Sequence, residues 1–343
     1  MIGESACICL DVQFGRIAAT AVAGRNVRSW LIEPLPDGLL QRFKPSDPAA
    51  TGRELRAMFD RWGLRAAEVR LALPDGAVVT RVLDLPRMKD SELRTAIRYL
   101  AEKEIPMPLA QAAWGWAVAG RSDSAITIIM VAAWSDVVGA WREALAETGL
   151  RLTVVEPRAM SLARALQLSR AIVLETVDEA TLMTVLDHGG AAYSFETRCT
   201  DADDLTSLIQ RGRRHLAGAT GPGAEADVVF AGGLEEWSTA FQSAVPARDL
   251  LNAHAPARPL GMAAAHLLPA LGLAMKGEMK RAPESTFPLV NLAAVGSQGR
   301  RAGRWSASLR RAALIAVAVP AWAVTGVGIA ILAGWHIALP FGP

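Results

Sequence analysis

Cysteine is scarce in this chain and poorly placed for chemistry. Cys7, Cys9 and Cys199 are the only three among 343 residues, too few and wrongly spaced for a zinc site or a disulfide framework. Reduced thiols in a cytosolic setting are the simplest reading. His188, His215, His254, His266 and His336 make no ligand-spaced pair, and no acid–base dyad, nucleophile elbow or metal-ligand set stands out. An excess of one charge is missing too, since 36 Lys+Arg against 34 Asp+Glu leave a net +2. The basic field that would argue for nucleic acid as a partner is therefore absent.

One long uncharged run is present. Ala312–Trp335 holds 24 residues without a charge, and Thr325 is its only hydroxyl. A helix of that length measures about 36 Å, enough to cross a hydrocarbon core of about 30 Å. Arg300, Arg301, Arg304, Arg310 and Arg311 crowd its N-terminal side with no acid among them, and the eight residues after it carry no Lys or Arg. The positive-inside rule then puts everything before Arg311 in the cytoplasm, with Trp305 and Trp335 in the two interfacial belts. The expectation is a cytoplasmic body on a single-pass tail, with the lipid bilayer as one partner. Some 300 residues before the tail suffice for two domains or one two-lobed fold.

The body opens with a strand, Ala6–Val12, that delivers Asp11 toward a turn at Gly15; Ile17–Val22 and Val27–Ile32 read as the next strands. The actin and sugar-kinase ATPases begin in a similar way, with phosphate at the turn and the Asp on the metal side. The pattern recurs at Leu182–Asp187, followed by Gly189-Gly190 and a strand Ala191–Phe195. Asp227–Phe230 leads likewise into Gly232-Gly233 just before an expected helix from Leu234 onward. Glycines at such turns let backbone approach a nucleotide. Candidate cofactor-binding residues are therefore Asp11, Asp187, Gly189, Gly190, Gly232 and Gly233.

Between these pieces the chain alternates strand and helix. Val69–Leu73 and Val78–Leu83 are strands around a Pro74-Asp75-Gly76 turn. Asp90-Ser91-Glu92 caps a helix Leu93–Glu104, which Pro106 and Pro108 end. Ala125–Ala133 is a strand, Asp136–Thr148 a helix stopped by Gly149, and Leu152–Val155 a strand. That alternation argues α/β.

Leu73-Pro74-Asp75-Gly76, Leu85-Pro86, Asp90 through Pro106, Val131-Ala132-Ala133-Trp134 and Val155 through Leu166 resemble the type IV pilus actin-like family PilM. Ala270–Gly277 resembles that family's closing helix, so the resemblance covers roughly 6–277. It implies an α/β, actin-like (ribonuclease H-like) two-lobed fold over 1–277, with an inserted α+β subdomain at about 70–166. It also implies the cytoplasmic face of the bacterial inner membrane. The partner would be PilN, whose N-terminal segment carries Asn-Leu ahead of a basic stretch and a membrane helix. Here Phe287–Leu292, with Asn291-Leu292, precedes the arginine flank and the run 312–335 in a similar order. Residues 278–311 then read as a linker with a PilN-like motif. Phe287, Val290, Asn291 and Leu292 become candidate partner-binding residues, expected to dock into the chain's own body.

The function so implied is a membrane-tethered scaffold of a type IV pilus or related type II secretion platform. PilN/PilO-like inner-membrane proteins and a cytoplasmic assembly ATPase would be its partners. Departures from the family weaken the nucleotide site. Gln13-Phe14-Gly15-Arg16-Ile17-Ala18 lacks the family's hydroxyl and Lys, and Leu205–Leu216 has Ser207-Leu208 and Gly212 where the family places acids and a Ser. The expectation is no cofactor, or at most weakly held ATP with Mg²⁺, and no hydrolysis. Two alternatives stand beside this reading: an active ATPase of the actin/sugar-kinase fold, and a membrane-anchored regulatory or cytoskeletal protein.

Overall fold

Apolar residues on both faces of Cys7–Gln13 make that strand the centre of a sheet covered on two sides. A computed structural model describes residues 6–293 except 14, 25, 178–179, 221–225, 235–240, 242–243, 252–259, 261–262 and 280–286. In chain order the elements are β1 (Cys7–Gln13), β2 (Arg16–Ala23), β3 (Asn26–Pro34), β4 (Leu40–Gln41), β5 (Lys44–Pro45) and α1 (Pro48–Arg61). Next come β6 (Glu68–Leu73), β7 (Val78–Pro86), α2 (Asp90–Glu104), β8 (Ala112–Arg121), β9 (Ala125–Trp134) and α3 (Ser135–Glu147). Then follow β10 (Arg151–Pro157), α4 (Arg158–Leu166), β11 (Ala171–Val177), β12 (Ala180–Asp187), β13 (Gly190–Thr197) and α5 (Ala202–Thr220). The last are β14 (Asp227–Gly232), β15 (Ala244–Pro246), α6 (Ala247–Leu251) and α7 (Leu268–Met279).

The chain folds one five-strand unit twice. The first sheet runs β3-β2-β1-β6-β10 and the second β13-β12-β11-β14-β15. In each, the first three strands in sequence form antiparallel hairpins, and the fourth and fifth add in parallel. The sequence suggests that the second unit starts at Leu182, but it starts one strand earlier, at β11. The reason is local: Asp178 and Glu179 follow β11, so no glycine marks the first turn of the repeat.

Alternation along β1 sends Ile8, Leu10 and Val12 to a core with α1 and α3, and Cys7 and Cys9 to a core with α7. Along β11, Ile172 and Leu174 face α5, whereas Ala171 and Val173 face α4 and α7. Helices α4 and α7 thus lie between the two sheets, and all nine residues of α4 are buried. The two helices cross closely because α7 carries Gly272 where a Cβ would fall 1.8 Å from the Ser161 carbonyl oxygen.

A third sheet, β7-β9-β8, carries α2 on one face and shares a core with the first lobe on the other. It occupies Val78–Trp134, inside the section expected at about 70–166. The outer strands of that section, β6 and β10, hydrogen-bond into the first sheet instead. The cap of α2 also differs from the expectation. Lys89 takes the N-cap position, its N–H donating to Glu92 Oε2 at 3.0 Å, while Asp90 and Glu92 lie in the first turn. Among the described residues no helix is long and apolar enough to cross a membrane. The expected span Ala312–Trp335, its arginine flank and the helix expected after Leu234 lie outside the described residues.

Candidate functional site

The duplicated topology brings two carboxylates face to face. Asp11 sits opposite Ala72 of β6, and Glu175 sits opposite Ala231 of β14, at equivalent places in the two units. Both point between the lobes, where the first residue of α4 meets them. Arg158 Nε lies 3.2 Å from each Asp11 oxygen, while its Nη1 and Nη2 donate to Glu175 at 2.7 and 2.9 Å. All three side chains are buried. A cation at a helix N-terminus opposes the helix dipole, and a third carboxylate helps to offset that. Asp75 accepts from the Ala159 N–H at 3.0 Å and from Ser194 Oγ at 3.2 Å. The Pro74-Asp75-Gly76 turn therefore caps α4 and reaches the second lobe.

Burial pushes the Asp11 carboxyl up to about 6, against the pull of Arg158. For the Arg158 guanidinium burial acts downward, and Asp11 and Glu175 more than reverse it, so the net shift is upward. The cavity left beside this cluster measures about 30 Å³ and is bordered by Gln13, Arg16, Gly232 and His266. That is room for a water or two. A wider cleft of about 340 Å³ adjoins it, along Gly233, Leu234, Leu205 and Asp201.

Of the residues expected around a nucleotide, the cleft gathers Asp11, Gly232 and Gly233. It does not gather Asp187, Gly189 or Gly190. Those form the β12–β13 turn, where His188 and Gly189 have φ of 50° and 75° and Asp187 pairs with Gly190. Leu186 pairs with Ala171, which places that turn at the start of β11, away from Glu175. Arg158, Glu175 and Asp75 were not singled out by the sequence as site residues. The signal available was a Glu-Pro-Arg junction between a strand and a helix. Beside the carboxylates a phosphate and Mg²⁺ would compete with Arg158, whose guanidinium engages both Asp11 and Glu175, and the 30 Å³ cavity there is small; the open space lies in the adjoining 340 Å³ cleft.

The second feature is a groove along β10, the edge strand of the first sheet. Phe287–Ala293 runs into it, with a bend at Phe287, which packs among α4, α7 and β11, and a turn at Leu292-Ala293. Phe287, Val290 and Leu292 are 5%, 2% and 1% exposed. Asn291 Oδ1 accepts from the Val155 N–H and its Nδ2 donates to the Thr153 carbonyl, each at 3.0 Å. The Leu292 N–H donates to the Val155 carbonyl at 2.7 Å. A carboxamide thus reads an N–H and a C=O of the edge strand, which is strand addition made partly by a side chain. Aspartate has no N–H for Thr153, and apolar residues have neither group.

Two glycines make space for the segment. A Cβ at Gly115 would lie 3.0 Å from Val290 Cγ1, and one at Gly189 would lie 3.0 Å from Pro288 Cδ. Gly189, expected at phosphate, thus lies beside Pro288 instead. Helix α3 also contributes, with Arg142 Nη2 donating to the Ala293 carbonyl at 3.0 Å. Burying three large apolar side chains contributes about 6 kcal/mol, while ordering seven residues costs on the order of 10 kcal/mol. The hydrogen bonds and the covalent tether therefore decide whether the segment stays.

Lys276 of α7 joins the groove to the core, since its ammonium donates to the Val290 carbonyl and to Glu156. Glu156 also receives Arg164 Nη1 at 2.7 Å, Arg164 Nη2 at 3.1 Å and Ser161 Oγ at 2.5 Å.

Two lobes of one repeated topology, with helices buried between them, define an actin-like α/β protein. The sequence profile of the family described as type IV pilus assembly protein PilM matches residues 17–200, just over half of the 343 residues, and the chain belongs to that family. Among solved structures, the chain is similar to the PilM-PilN type IV pilus biogenesis complex. There the TM-score is 0.63 at 18% identity, over 80% of this chain and 99% of that one. It also matches the cytoplasmic domain of EpsL, an inner-membrane component of the type II secretion system of Vibrio cholerae. That match has TM-score 0.44 and 13% identity over 73% and 94% of the two chains. A Bacteroides thetaiotaomicron protein with an actin-like ATPase fold matches at TM-score 0.39 and 9% identity, over 73% and 96%.

Proposed function

We propose that the chain is a membrane-tethered cytoplasmic scaffold of a type IV pilus assembly platform, or of a related type II secretion platform, at the bacterial inner membrane. The observation that carries this is the groove on β10 filled by the chain's own Phe287–Ala293. In this reading the groove is a peptide-binding site for the PilN-type partner segment. This chain supplies such a segment itself, through Phe287, Val290, Asn291 and Leu292. Ala312–Trp335 is the anchor, and its arginine flank faces the cytoplasm.

The partners are PilN/PilO-like inner-membrane proteins, a cytoplasmic assembly ATPase and the lipid bilayer, and not nucleic acid. No nucleotide turnover belongs to this role. The alternative of an active ATPase draws no support from a cleft whose carboxylates are held by an arginine. Fractionation of cells expressing the full chain tests the tether. The chain is expected in the membrane fraction, resistant to carbonate extraction, and residues 1–300 alone in the soluble fraction. Full-length chain recovered as soluble protein would contradict the proposal.

A further inference from the structure

The two carboxylates at equivalent places in the repeated unit would, side by side and unpaired, repel each other and attract a cation. The chain supplies that cation itself. Arg158 leaves the first turn of the helix that connects the lobes and touches one carboxylate from each, through separate edges of a planar fork. Asp75 fixes the same helix end to the first lobe's turn and to Ser194 of the second. The contacts close a ring running from the first lobe through Arg158 to the second and back through Asp75. We propose that Arg158 is a built-in cation holding the two lobes together, so that the closed body depends on neither nucleotide nor metal. It follows that removing the guanidinium creates a divalent-cation site between Asp11 and Glu175. The inference rests on the cleft geometry alone and does not depend on tethering or on the groove.

Thermal melting of the full-length chain in detergent tests it. Wild-type Tm is expected to stay fixed when millimolar Mg²⁺, Mn²⁺ or Mg²⁺ with ATP is added. Arg158→Ala should lower Tm by on the order of 10 °C, because two buried carboxylates lose their counter-charge. Mg²⁺ or Mn²⁺ should then recover part of the loss, as two carboxylates and water suit such an ion. Arg158→Lys keeps a charge without the fork, so an intermediate loss with no metal response is expected. If Arg158→Ala yields no folded protein, Glu175→Gln replaces it. That variant should lower Tm and speed hydrogen exchange at the Ala159 amide. Stabilisation of the wild type by Mg²⁺ with ATP would overturn the proposal. So would a folded Arg158→Ala chain that ignores both metals, or a Glu175→Gln chain that melts like wild type.

Discussion

Glu156→Ala is expected to leave no stably folded chain at growth temperature. Glu156 and Arg164 are 0% exposed and Lys276 is 2% exposed, so one carboxylate serves as the shared counter-charge of two buried cations. Removing one member of a buried pair costs about 3–5 kcal/mol. Here two cations lose the carboxylate they share, against a total stability of about 5–15 kcal/mol for a domain. Glu156→Gln keeps the shape and one acceptor, and is expected to fold with a smaller but still large loss. The acid side of the stability curve gives a second readout. Burial pushes the Glu156 carboxyl up, but Arg164 and Lys276 outweigh it and bring it down to about 2. A carboxyl with its folded pKa below the ordinary 4.5 stabilises the fold above 4.5 and loses that contribution as pH falls toward 2. Asp11, raised to about 6, slopes the opposite way, favouring the fold at low pH and losing that contribution as pH rises through 6. Denaturant titrations of wild type and Glu156→Gln should therefore converge as pH falls from 4.5 to 2. A constant gap, or a Glu156→Ala chain within about 1 kcal/mol of wild type, would contradict the assignment.

The second large effect concerns a single methyl group. At Gly272 an added Cβ would lie 1.8 Å from the Ser161 carbonyl oxygen and 2.6 Å from its carbon. Both are backbone atoms of α4, so no side chain can swing aside and α7 must move. Two further contacts move with it: the Gly272 carbonyl accepts from Arg164 Nη1 at 2.8 Å, and Lys276 lies one turn on. Gly272→Ala is thus expected to cost about 3 kcal/mol or more through overpacking, and Gly272→Val more still. Gly139 on α3 is the internal control, since a methyl group added there would meet nothing within 4 Å. There the same substitution should stabilise by about 0.5–1 kcal/mol, because alanine gives up less backbone freedom than glycine. Opposite signs at the two sites, measured by urea denaturation, are the expected outcome; equal effects would sink the packing argument.

Much of this was legible in the sequence. β6, β7, β9 and β10 read clearly because apolar runs end at turn residues, and Gly149 marked the end of α3 through its φ of +78°. The repeat starts one strand before the pattern suggests, because Asp187-His188-Gly189-Gly190 looks like a ligand loop although it is a hairpin turn. The edges of the inserted unit were blurred for a different reason. β6 and β7 are both short apolar strands, and nothing in their residues says which sheet each joins. Arg158 was hidden because an arginine two residues after a glutamate reads as a surface pair; only the duplicated topology sets it between Asp11 and Glu175. Lys276 was hidden likewise, at the end of an apolar helix. The segment 287–292 is legible only through its resemblance to the PilN segment, since its residues by themselves read equally as a linker with scattered apolar side chains.

The groove's occupation by the chain's own segment is tested most directly by hydrogen exchange on the full-length chain and on Asn291→Ala/Leu292→Ala. The Leu292 amide donates to the Val155 carbonyl, and the Val155 amide donates to Asn291 Oδ1. Protection at Leu292 and Val155 in the wild type is the expected result, with the Val155 protection lost in the double variant. Exchange at Leu292 as fast as in an unstructured peptide, with Val155 unchanged between the two proteins, would contradict it.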